Sequence, residues 1–105
     1  MNHRNNPLHT DLCGLSMASP IVLLSGCVGF GEEYTRVEGF SNRDVGGVVL
    51  KGTTGDARLG NPPHRVYETP MGMLNAIGLQ NPGVEAVVNE ILPGLDFSET
   101  RFFAN

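Results

Sequence analysis

Two short apolar runs, each closed by a turn signal, constrain the fold of this chain more than any other feature. The first is Pro-Ile-Val-Leu-Leu-Ser-Gly at residues 20–26, and the second is Gly-Gly-Val-Val-Leu-Lys at residues 46–51. Apolar runs without polar alternation are typical of strands buried on both faces of a parallel sheet. Between them, residues 32–40 carry apolar side chains three apart behind two glutamates, which predicts a short helix.

The remaining segments predict a loop, a second helix, a third strand and a hairpin arm. Residues 55–72 are rich in Gly, Pro, Arg and Asn without periodicity, and a loop of that length is usually functional or disordered, which makes it a candidate binding segment. Asn81 stands as the predicted N-cap of the second helix, with Pro82 as its first residue. The other predicted features are the helix stripe Val84, Val87, Val88, Ile91 and Leu92, the strand at 101–105, and the hairpin at 12–17 with Gly14 near its turn.

This order of strands and helices implies a parallel α/β sheet with right-handed crossovers. The 105 residues hold about three strand–helix units, whereas a closed barrel of eight such units takes about 250 residues. The chain has no internal repeat, low-complexity tract or linker. We therefore expect residues 1–105 to form part of one larger α/β domain that continues beyond Asn105.

Composition and charge argue against several classes of function. The net charge is −4, the pI is about 5.2 and the seven basic residues form no run, which argues against nucleic-acid binding. The apolar run at 21–24 is far shorter than the ~20 residues of a membrane helix. Residues 1–11 lack the apolar stretch of a secretory signal. We expect a cytoplasmic protein without a membrane segment.

The cysteines and histidines predict neither a disulfide nor a metal site. Cys13 and Cys27 lack CxxC spacing, and a reducing cytosol favours free thiols. Cys27 could be a nucleophile, but a small buried side chain is the preferred interpretation. The three histidines have no spacing that would bring two of them to one helix face.

Small, cationic and amide groups follow the three predicted strands. In parallel α/β folds, ligands bind at the carboxyl ends of the strands, where this chain has Ser25, Lys51 and Asn105. These residues could form a cradle for an anionic or electron-rich ring, or they could be ordinary turn residues. Lys51 favours a site, because an ammonium after an apolar strand needs an anionic partner. That partner is either a carboxylate such as Glu32 or Asp56, or a bound anion.

The segment Asn-Ala-Ile-Gly-Leu-Gln-Asn-Pro-Gly at residues 75–83 could bind a planar ligand. Its amides and its Gly-containing turn offer donors and acceptors that suit a pyrimidine. Alternatively, the segment is a loop that leads into a helix. We assign the helix cap to Asn81 and the ligand role to Asn75. The GxxGxG pattern at 26–31 matches neither a dinucleotide-binding nor a phosphate-loop motif.

Six stretches of the chain carry a family resemblance. They are residues 20–34, 51–54, 58–62, 65–68, 72–83 and 103–105, of which 72–83 is the most specific. Together they resemble class 1 dihydroorotate dehydrogenase, in particular the catalytic subunit of its type B form, over nearly all of the chain after Leu12. The resemblance implies an α/β fold that is the N-terminal portion, about three βα units, of a (β/α)8 TIM barrel that binds FMN.

The resemblance also implies a set of binding residues. The family's flavin contacts correspond to Ser25, Lys51, Gly52 and Asn105, although members commonly have alanine where Gly52 stands. The family's catalytic base is a cysteine on a loop beyond Asn105, so no catalytic residue is expected in this span and Cys27 does not take that role. The family's orotate contacts correspond to Lys51, Asn75, Ala76, Ile77, Gly78 and Leu79.

The implied reaction is the oxidation of dihydroorotate to orotate in pyrimidine synthesis. A base removes one proton, hydride passes to FMN, and Lys51 stabilises the developing negative charge. In type B members, electrons leave to NAD through a partner subunit that carries FAD and a 2Fe–2S cluster; Ala76 and residues 80–83 look like type B. A homodimer of catalytic subunits joined to this electron-transfer subunit is implied.

Two other functions are compatible with the sequence. The chain could be a truncated, non-catalytic piece or an interaction module that reuses part of a barrel, which the mass of the native protein distinguishes. It could also belong to another FMN-barrel oxidoreductase that acts on pyrimidines or on tRNA uridine, which orotate binding distinguishes.

We expect residues 1–105 alone to show no dihydroorotate oxidation, because the resemblance assigns the catalytic base and the flavin phosphate site to residues beyond Asn105. A steady-state assay with added FMN measures this. Turnover above that of free FMN would contradict the prediction.

Overall fold

The computed structural model describes residues 6–105, which divide into two units. The first unit comprises the described residues up to Lys51 together with Gly94–Asn105, and the second is Gly52–Pro93. Within residues 6–105, no helix has the length and apolar character needed to cross a bilayer. The elements in chain order are β1 (Thr10–Leu12), β2 (Leu15–Met17), β3 (Val22–Leu23), β4 (Gly47–Val49), β5 (Val66–Thr69), β6 (Gly72–Asn75), α1 (Val84–Ala86) and β7 (Arg101–Phe103).

A three-stranded parallel sheet forms the centre of the first unit. β4 lies between β3 and β7 and pairs parallel with both. Val48 in the middle of β4 is fully buried, with 0% of its surface exposed, and lies opposite Leu23 and Phe102. The three strands lie within the predicted segments, so the prediction of an α/β chain with a parallel sheet is confirmed. The other buried apolar residues of this unit are Met17, Val28, Phe30, Val45 and Leu50.

Two glycines allow neighbouring segments to approach β4 closely. A side-chain carbon at Gly46 would overlap the carbonyl oxygen of Ser19, and one at Gly47 would lie 2.7 Å from the Phe103 ring. The Gly46 N–H donates to the carbonyl oxygen of Ile21 at 2.8 Å. The start of β4 therefore packs against both neighbours because neither glycine carries a side chain.

β1 and β2 form the predicted hairpin arm, which begins at Thr10 rather than at residue 12. Cys13 and Gly14 turn the chain with φ angles of 52° and 84°, the left-handed conformation that a tight two-residue hairpin turn requires. The Asp11 carboxylate accepts a hydrogen bond from the Gly14 N–H at 2.7 Å. Met17 in β2 is buried, so the hairpin contributes to the core of the first unit.

The predicted helix over residues 32–40 is wrong, because only a single 3-10 turn forms there, at Tyr34–Arg36. Val37 leaves the helical conformation with a φ of −83° and a ψ of 125°. The Glu33 carboxylate accepts hydrogen bonds from the Phe30 N–H at 3.0 and 3.1 Å, which ties it to the preceding turn. A segment this short does not sustain an α-helix unless a core packs against it, and nearly all of it is exposed.

The predicted loop over residues 55–72 is also partly wrong, because it contains strand β5. β5 pairs antiparallel with β6, from Val66 opposite Asn75 to Thr69 opposite Gly72. The residues of this hairpin are exposed apart from the half-buried Thr69. Because neither face is buried, the sequence lacks the apolar and polar alternation by which a strand is normally predicted.

The second predicted helix forms, but with mixed geometry. α1 continues into a π-helical turn at Val87–Ile91 and a 3-10 turn at Leu92–Gly94. Of the predicted apolar stripe, Val87 is buried, whereas Val84 and Val88 are 46% and 50% exposed. A π turn holds more residues than an α turn, so side chains three and four apart no longer share one buried face.

Charged side chains link the turn before β4 to the turn before β7. Arg43 lies 3.8 Å from Asp96 and 3.7 Å from Glu99. Side-chain and backbone hydrogen bonds with Ser98, and then the Arg43 charge, hold the pKa of Asp96 below its ordinary value. The Asp96 charge therefore contributes to stability above the pKa that this carboxyl has in the unfolded chain. That contribution is lost as the pH falls through the lower pKa of the folded chain.

Val48→Ala is expected to lower the free energy of unfolding by about 2 kcal/mol, because it removes two buried carbon groups and leaves a small cavity. Chemical denaturation measures the change. Val37→Ala is the matched control, because Val37 is 55% exposed and the same truncation there should cost little. Equal losses for the two variants would contradict the role of Val48 in the core.

Candidate functional site

Two of the predicted flavin residues meet at the carboxyl edge of the parallel sheet. Ser25 follows β3 and Asn105 follows β7, and the Asn105 side-chain amide donates to the Ser25 hydroxyl at 2.7 Å. The two residues lie 80 positions apart in the sequence. The parallel pairing of both strands with β4 brings them together, as the prediction from the strand ends requires.

Lys51, the only lysine of the sequence, leaves the sheet from a fixed backbone position. Its N–H donates to the carbonyl oxygen of Gly29 at 2.8 Å, and the residue is half-buried. Glu32, one of the two carboxylates considered as its partner, lies 3.9 Å from the Arg36 guanidinium. Lys51 is thus a half-buried lysine two residues after β4, and a lysine ammonium is a compact cation of the kind that binds anionic ligands.

Open space lies beside Gly26, directly after Ser25. Its φ is 86°, and a side-chain carbon at this position would have no atom within 4 Å. Open backbone of this kind allows a flat ring to approach closely. The edge of a flavin ring offers carbonyl oxygens and ring nitrogens, and this unit supplies hydroxyl, amide and ammonium groups from Ser25, Asn105 and Lys51. The residues present therefore fit a flavin.

The predicted orotate loop, residues 75–79, belongs to the second unit and is held by its main chain. The Ala76 N–H donates to the carbonyl oxygen of Arg65, and the Ala76 carbonyl accepts from the Asn61 side-chain amide, both at 2.8 Å. The Asn61 N–H donates to the Ile77 carbonyl oxygen, also at 2.8 Å. Gly78 has a φ of 80° and leaves no room for a side-chain carbon, which would lie 2.7 Å from the Asn61 nitrogen.

Arg65 and Gln80 complete the support of this loop, a role that the sequence predicts for neither of them nor for Asn61. The Arg65 guanidinium donates to Gln80 Oε1 at 2.6 Å and to the carbonyl oxygens of Leu59 and Asn61 at 3.3 and 3.2 Å. A guanidinium holds several acceptors at once because its donors form a rigid fork. The one sign in the sequence that Arg65 and Asn61 could have a role is that both lie in stretches of family resemblance.

Asn81 is not the helix cap that the sequence predicts, because the N-cap is Gly83 and Pro82 precedes the helix. Instead, the buried Asn81 amide accepts from the Thr54 N–H at 3.1 Å and the Gly83 N–H at 2.9 Å. It also donates to the Leu79 carbonyl oxygen at 2.7 Å. The capping prediction failed because the Asn81 side chain binds other partners. Thr54 is 27 residues away in the sequence, and Leu79 precedes the helix.

The predicted burial of Cys27 is wrong, because both cysteines are free thiols on exposed residues. Cys27 lies in a turn in which its N–H donates to the carbonyl oxygen of Leu24 at 3.1 Å. Gly26 beside it has a φ of 86°, and the core position next to this turn is taken by Val28 instead, which is 5% exposed. Across residues 6–105, no cluster of three or more His, Cys, Asp or Glu side chains could hold a metal ion.

The profile of the dihydroorotate dehydrogenase family matches residues 7–102 of the chain. The chain belongs to the dihydroorotate dehydrogenase family. The match to this family agrees with the resemblance seen in the sequence.

Three bacterial relatives illustrate the similarity to dihydroorotate dehydrogenase. All three are named dihydroorotate dehydrogenase B (NAD(+)), catalytic subunit. The protein from Enterococcus faecalis is 53% identical over 91 residues, which is 87% of this chain and 28% of the relative. Those from Exiguobacterium sibiricum and Bacillus thuringiensis are 49% and 50% identical over 100 residues, 95% of this chain and 32% of each relative. The chain therefore spans about a third of the length of the dihydroorotate dehydrogenases it matches.

Gly78→Ala is expected to destabilise the chain by about 1–2 kcal/mol, because a residue with a side chain is disfavoured at positive φ and the new carbon would meet Asn61. Chemical denaturation measures the loss, and amide hydrogen exchange at Ala76 and Ile77 localises it. Gly72→Ala is the control, since a side-chain carbon there meets nothing within 4 Å. Unchanged exchange at Ala76 and Ile77 in Gly78→Ala would contradict the proposed close contact.

Proposed function

We propose that this chain is part of a type B dihydroorotate dehydrogenase that oxidises dihydroorotate to orotate in pyrimidine synthesis. The observation that carries the proposal is the 49–53% identity to relatives that are named dihydroorotate dehydrogenase B (NAD(+)), catalytic subunit. That identity extends over 87–95% of the chain. Because the chain spans 28–32% of those relatives, the proposal concerns the activity of the whole protein.

The parallel sheet is proposed to be part of a (β/α)8 barrel, of which this chain supplies about three units. The spatial order β3-β4-β7 supports this, because it follows the chain order and all pairs are parallel. In such a barrel each strand pairs with the next one along the chain, and ligands bind at the carboxyl ends of the strands. Ser25, Lys51 and Asn105 follow the strands at that end.

The flavin contacts are assigned to Ser25, Lys51, Gly52 and Asn105. The hydrogen bond from Asn105 to Ser25, 2.7 Å long, supports this assignment because it orients a hydroxyl and an amide before any ligand arrives. FMN, when bound, supplies the acceptor for the hydride. Glycine in place of the usual alanine at position 52 keeps the backbone N–H available while it removes a methyl group.

The substrate contacts are assigned to Lys51, Asn75 and the main chain and side chains of residues 76–79. Asn75 ends β6 and is exposed, so its amide is available to donate to, and accept from, a pyrimidine ring. The carbonyl groups of Ala76 and Ile77 are bound by Asn61, which fixes the planes of the following peptide groups. Besides Lys51, the proposed substrate contacts are thus Asn75, Ala76, Ile77, Gly78 and Leu79.

Lys51 is the residue of this chain with the largest proposed effect on the chemistry. Its ammonium would stabilise the negative charge that develops on the reacting rings and would bind the anionic substrate. The held Lys51 backbone supports this role, because a charge that is already in position needs less reorganisation during the reaction. The proton acceptor is assigned to a residue beyond Asn105, in keeping with the family resemblance.

Electron transfer is proposed to continue to NAD through a partner subunit that carries FAD and a 2Fe–2S cluster. The name of the relatives supports this, since it specifies NAD(+) and a catalytic subunit. The family resemblance further supports a homodimer of the catalytic subunit and a cytoplasmic location. Both of these remain predictions.

Lys51→Ala in the complete enzyme is expected to slow flavin reduction and to weaken orotate binding, because one cation is lost from two anionic partners. Loss of one partner of a desolvated charge contact costs about 2–5 kcal/mol, which corresponds to roughly 30-fold to several-thousand-fold in total, shared between the two effects. Stopped-flow reduction by dihydroorotate and an orotate titration measure them. Arg36→Ala is the control, since its guanidinium belongs to an exposed surface ion pair.

The alternative role of Lys51, a structural salt bridge, predicts a different result. Lys51→Ala would then lose stability while the folded, FMN-loaded fraction kept its reduction rate and its orotate affinity. That outcome would overturn the assignment of Lys51 to the site.

A further inference from the structure

Asn81 is a buried side chain, 5% exposed, whose amide atoms are fully used in hydrogen bonds. Its oxygen accepts from the N–H groups of Thr54 and Gly83 at 3.1 and 2.9 Å. Its nitrogen donates to the Leu79 carbonyl oxygen at 2.7 Å and to the Thr54 hydroxyl at 2.9 Å. A primary amide has two lone pairs on its oxygen and two N–H donors, so these four bonds saturate it.

The backbone of Asn81 is held as firmly as its side chain. Its N–H donates to the carbonyl oxygen of Arg58 at 3.0 Å, and its own carbonyl oxygen accepts from the Arg58 N–H at 2.8 Å. This pair of bonds forms an isolated antiparallel bridge. The position of the Asn81 side chain is therefore determined by the main chain of the same unit.

Two of the three partners of the Asn81 side chain, Thr54 and Leu79, lie in the two segments to which ligand contacts are assigned. Thr54 ends residues 52–54, which begin with Gly52 of the proposed flavin site and directly follow Lys51. Leu79 is the last residue of the proposed substrate loop, 75–79, and has a φ of 56°. One amide thus binds both segments within the second unit.

We propose that Asn81 is a positioning residue that holds the flavin segment, residues 52–54, and the substrate loop, residues 75–79, at one fixed spacing. This inference rests on the proposed function. Hydride transfer depends steeply on the distance and orientation of the two rings, and a displacement of about 1 Å can cost ~100-fold in rate. The carboxamide is required, because a carboxylate has no N–H to donate to the Leu79 carbonyl oxygen and can only accept from Thr54.

The proposal is tested with Asn81→Asp in the full-length, FMN-loaded enzyme. We expect flavin reduction at saturating dihydroorotate to be about 10- to 100-fold slower than in the wild type. The change in the flavin absorbance spectrum on orotate binding should also be smaller than in the wild type. FMN affinity should change less than the reduction rate, because Asn81 bonds to the segment of only one of the four assigned flavin contacts, Gly52. Stopped-flow absorbance, an orotate titration and flavin fluorescence measure the three quantities.

Asn42→Asp is the matched control. Asn42 is also a buried asparagine, 4% exposed, and its amide donates to the Gly31 carbonyl oxygen at 2.7 Å. It contacts neither of the two segments through this bond, so Asn42→Asp should lower thermal stability and leave the reduction rate of the folded enzyme near that of the wild type. If Asn81→Asp slows reduction no more than Asn42→Asp does, Asn81 is merely structural and the proposal is overturned.

Amide hydrogen exchange tests the role of Asn81 independently of whether the enzyme oxidises dihydroorotate. In Asn81→Asp, residues 52–54 and 75–79 should lose protection together, whereas Asn42→Asp should leave both segments unchanged. If dihydroorotate does not reduce the wild-type enzyme, the proposed function fails. Whether or not it does, loss of protection confined to one of the two segments overturns the proposal for Asn81.

Thr54→Val serves if Asn81→Asp does not fold, because it removes only the hydroxyl from this network. It should show the same joint loss of protection in weaker form, and no loss of protection would overturn the proposal.

Discussion

The parallel ladder on both sides of β4 is the constraint on which the first unit depends. It sets Val48 opposite Leu23 and Phe102, and it requires Gly46 and Gly47 to carry no side chain where Ser19 and Phe103 approach. Since all three strands run the same way, the residues that follow them emerge at one edge. The contact between Ser25 and Asn105 is a consequence of this pairing rather than of any local sequence preference.

The second unit is organised differently, by side chains that bind main-chain atoms. The Asn61 and Arg65 side chains donate hydrogen bonds to main-chain carbonyl oxygens, and the bond from Arg65 to the Gln80 side chain is the exception. The exposed hairpin of β5 and β6 offers little apolar burial. Polar contacts therefore determine the path of this unit more than hydrophobic packing does, and each unsatisfied group would carry a desolvation cost.

The features that could be predicted from the sequence are those that depend on the burial of apolar side chains or on the order of the strands along the chain. The strands of the parallel sheet were predicted because continuous apolar runs have few other structures available, and the meeting of Ser25 with Asn105 followed from parallel strand ends. The helix over 32–40 failed because apolar spacing alone does not show whether a core is available for packing. The network around Asn61 and Asn81 could not be predicted, since a hydrogen bond to a backbone carbonyl 15 residues away leaves no trace in residue type.

The manner in which Asn61 holds the loop at residues 75–79 has a consequence for the evolution of ligand preference. Its contacts are to the main-chain groups of Ala76 and Ile77, so these two side chains are not part of the framework that fixes the loop. Either can be exchanged for another residue while the peptide path is retained. If the proposed substrate role of the loop holds, different side chains at these two positions would present different surfaces to a ring on the same main-chain path, without the loop having to be rebuilt.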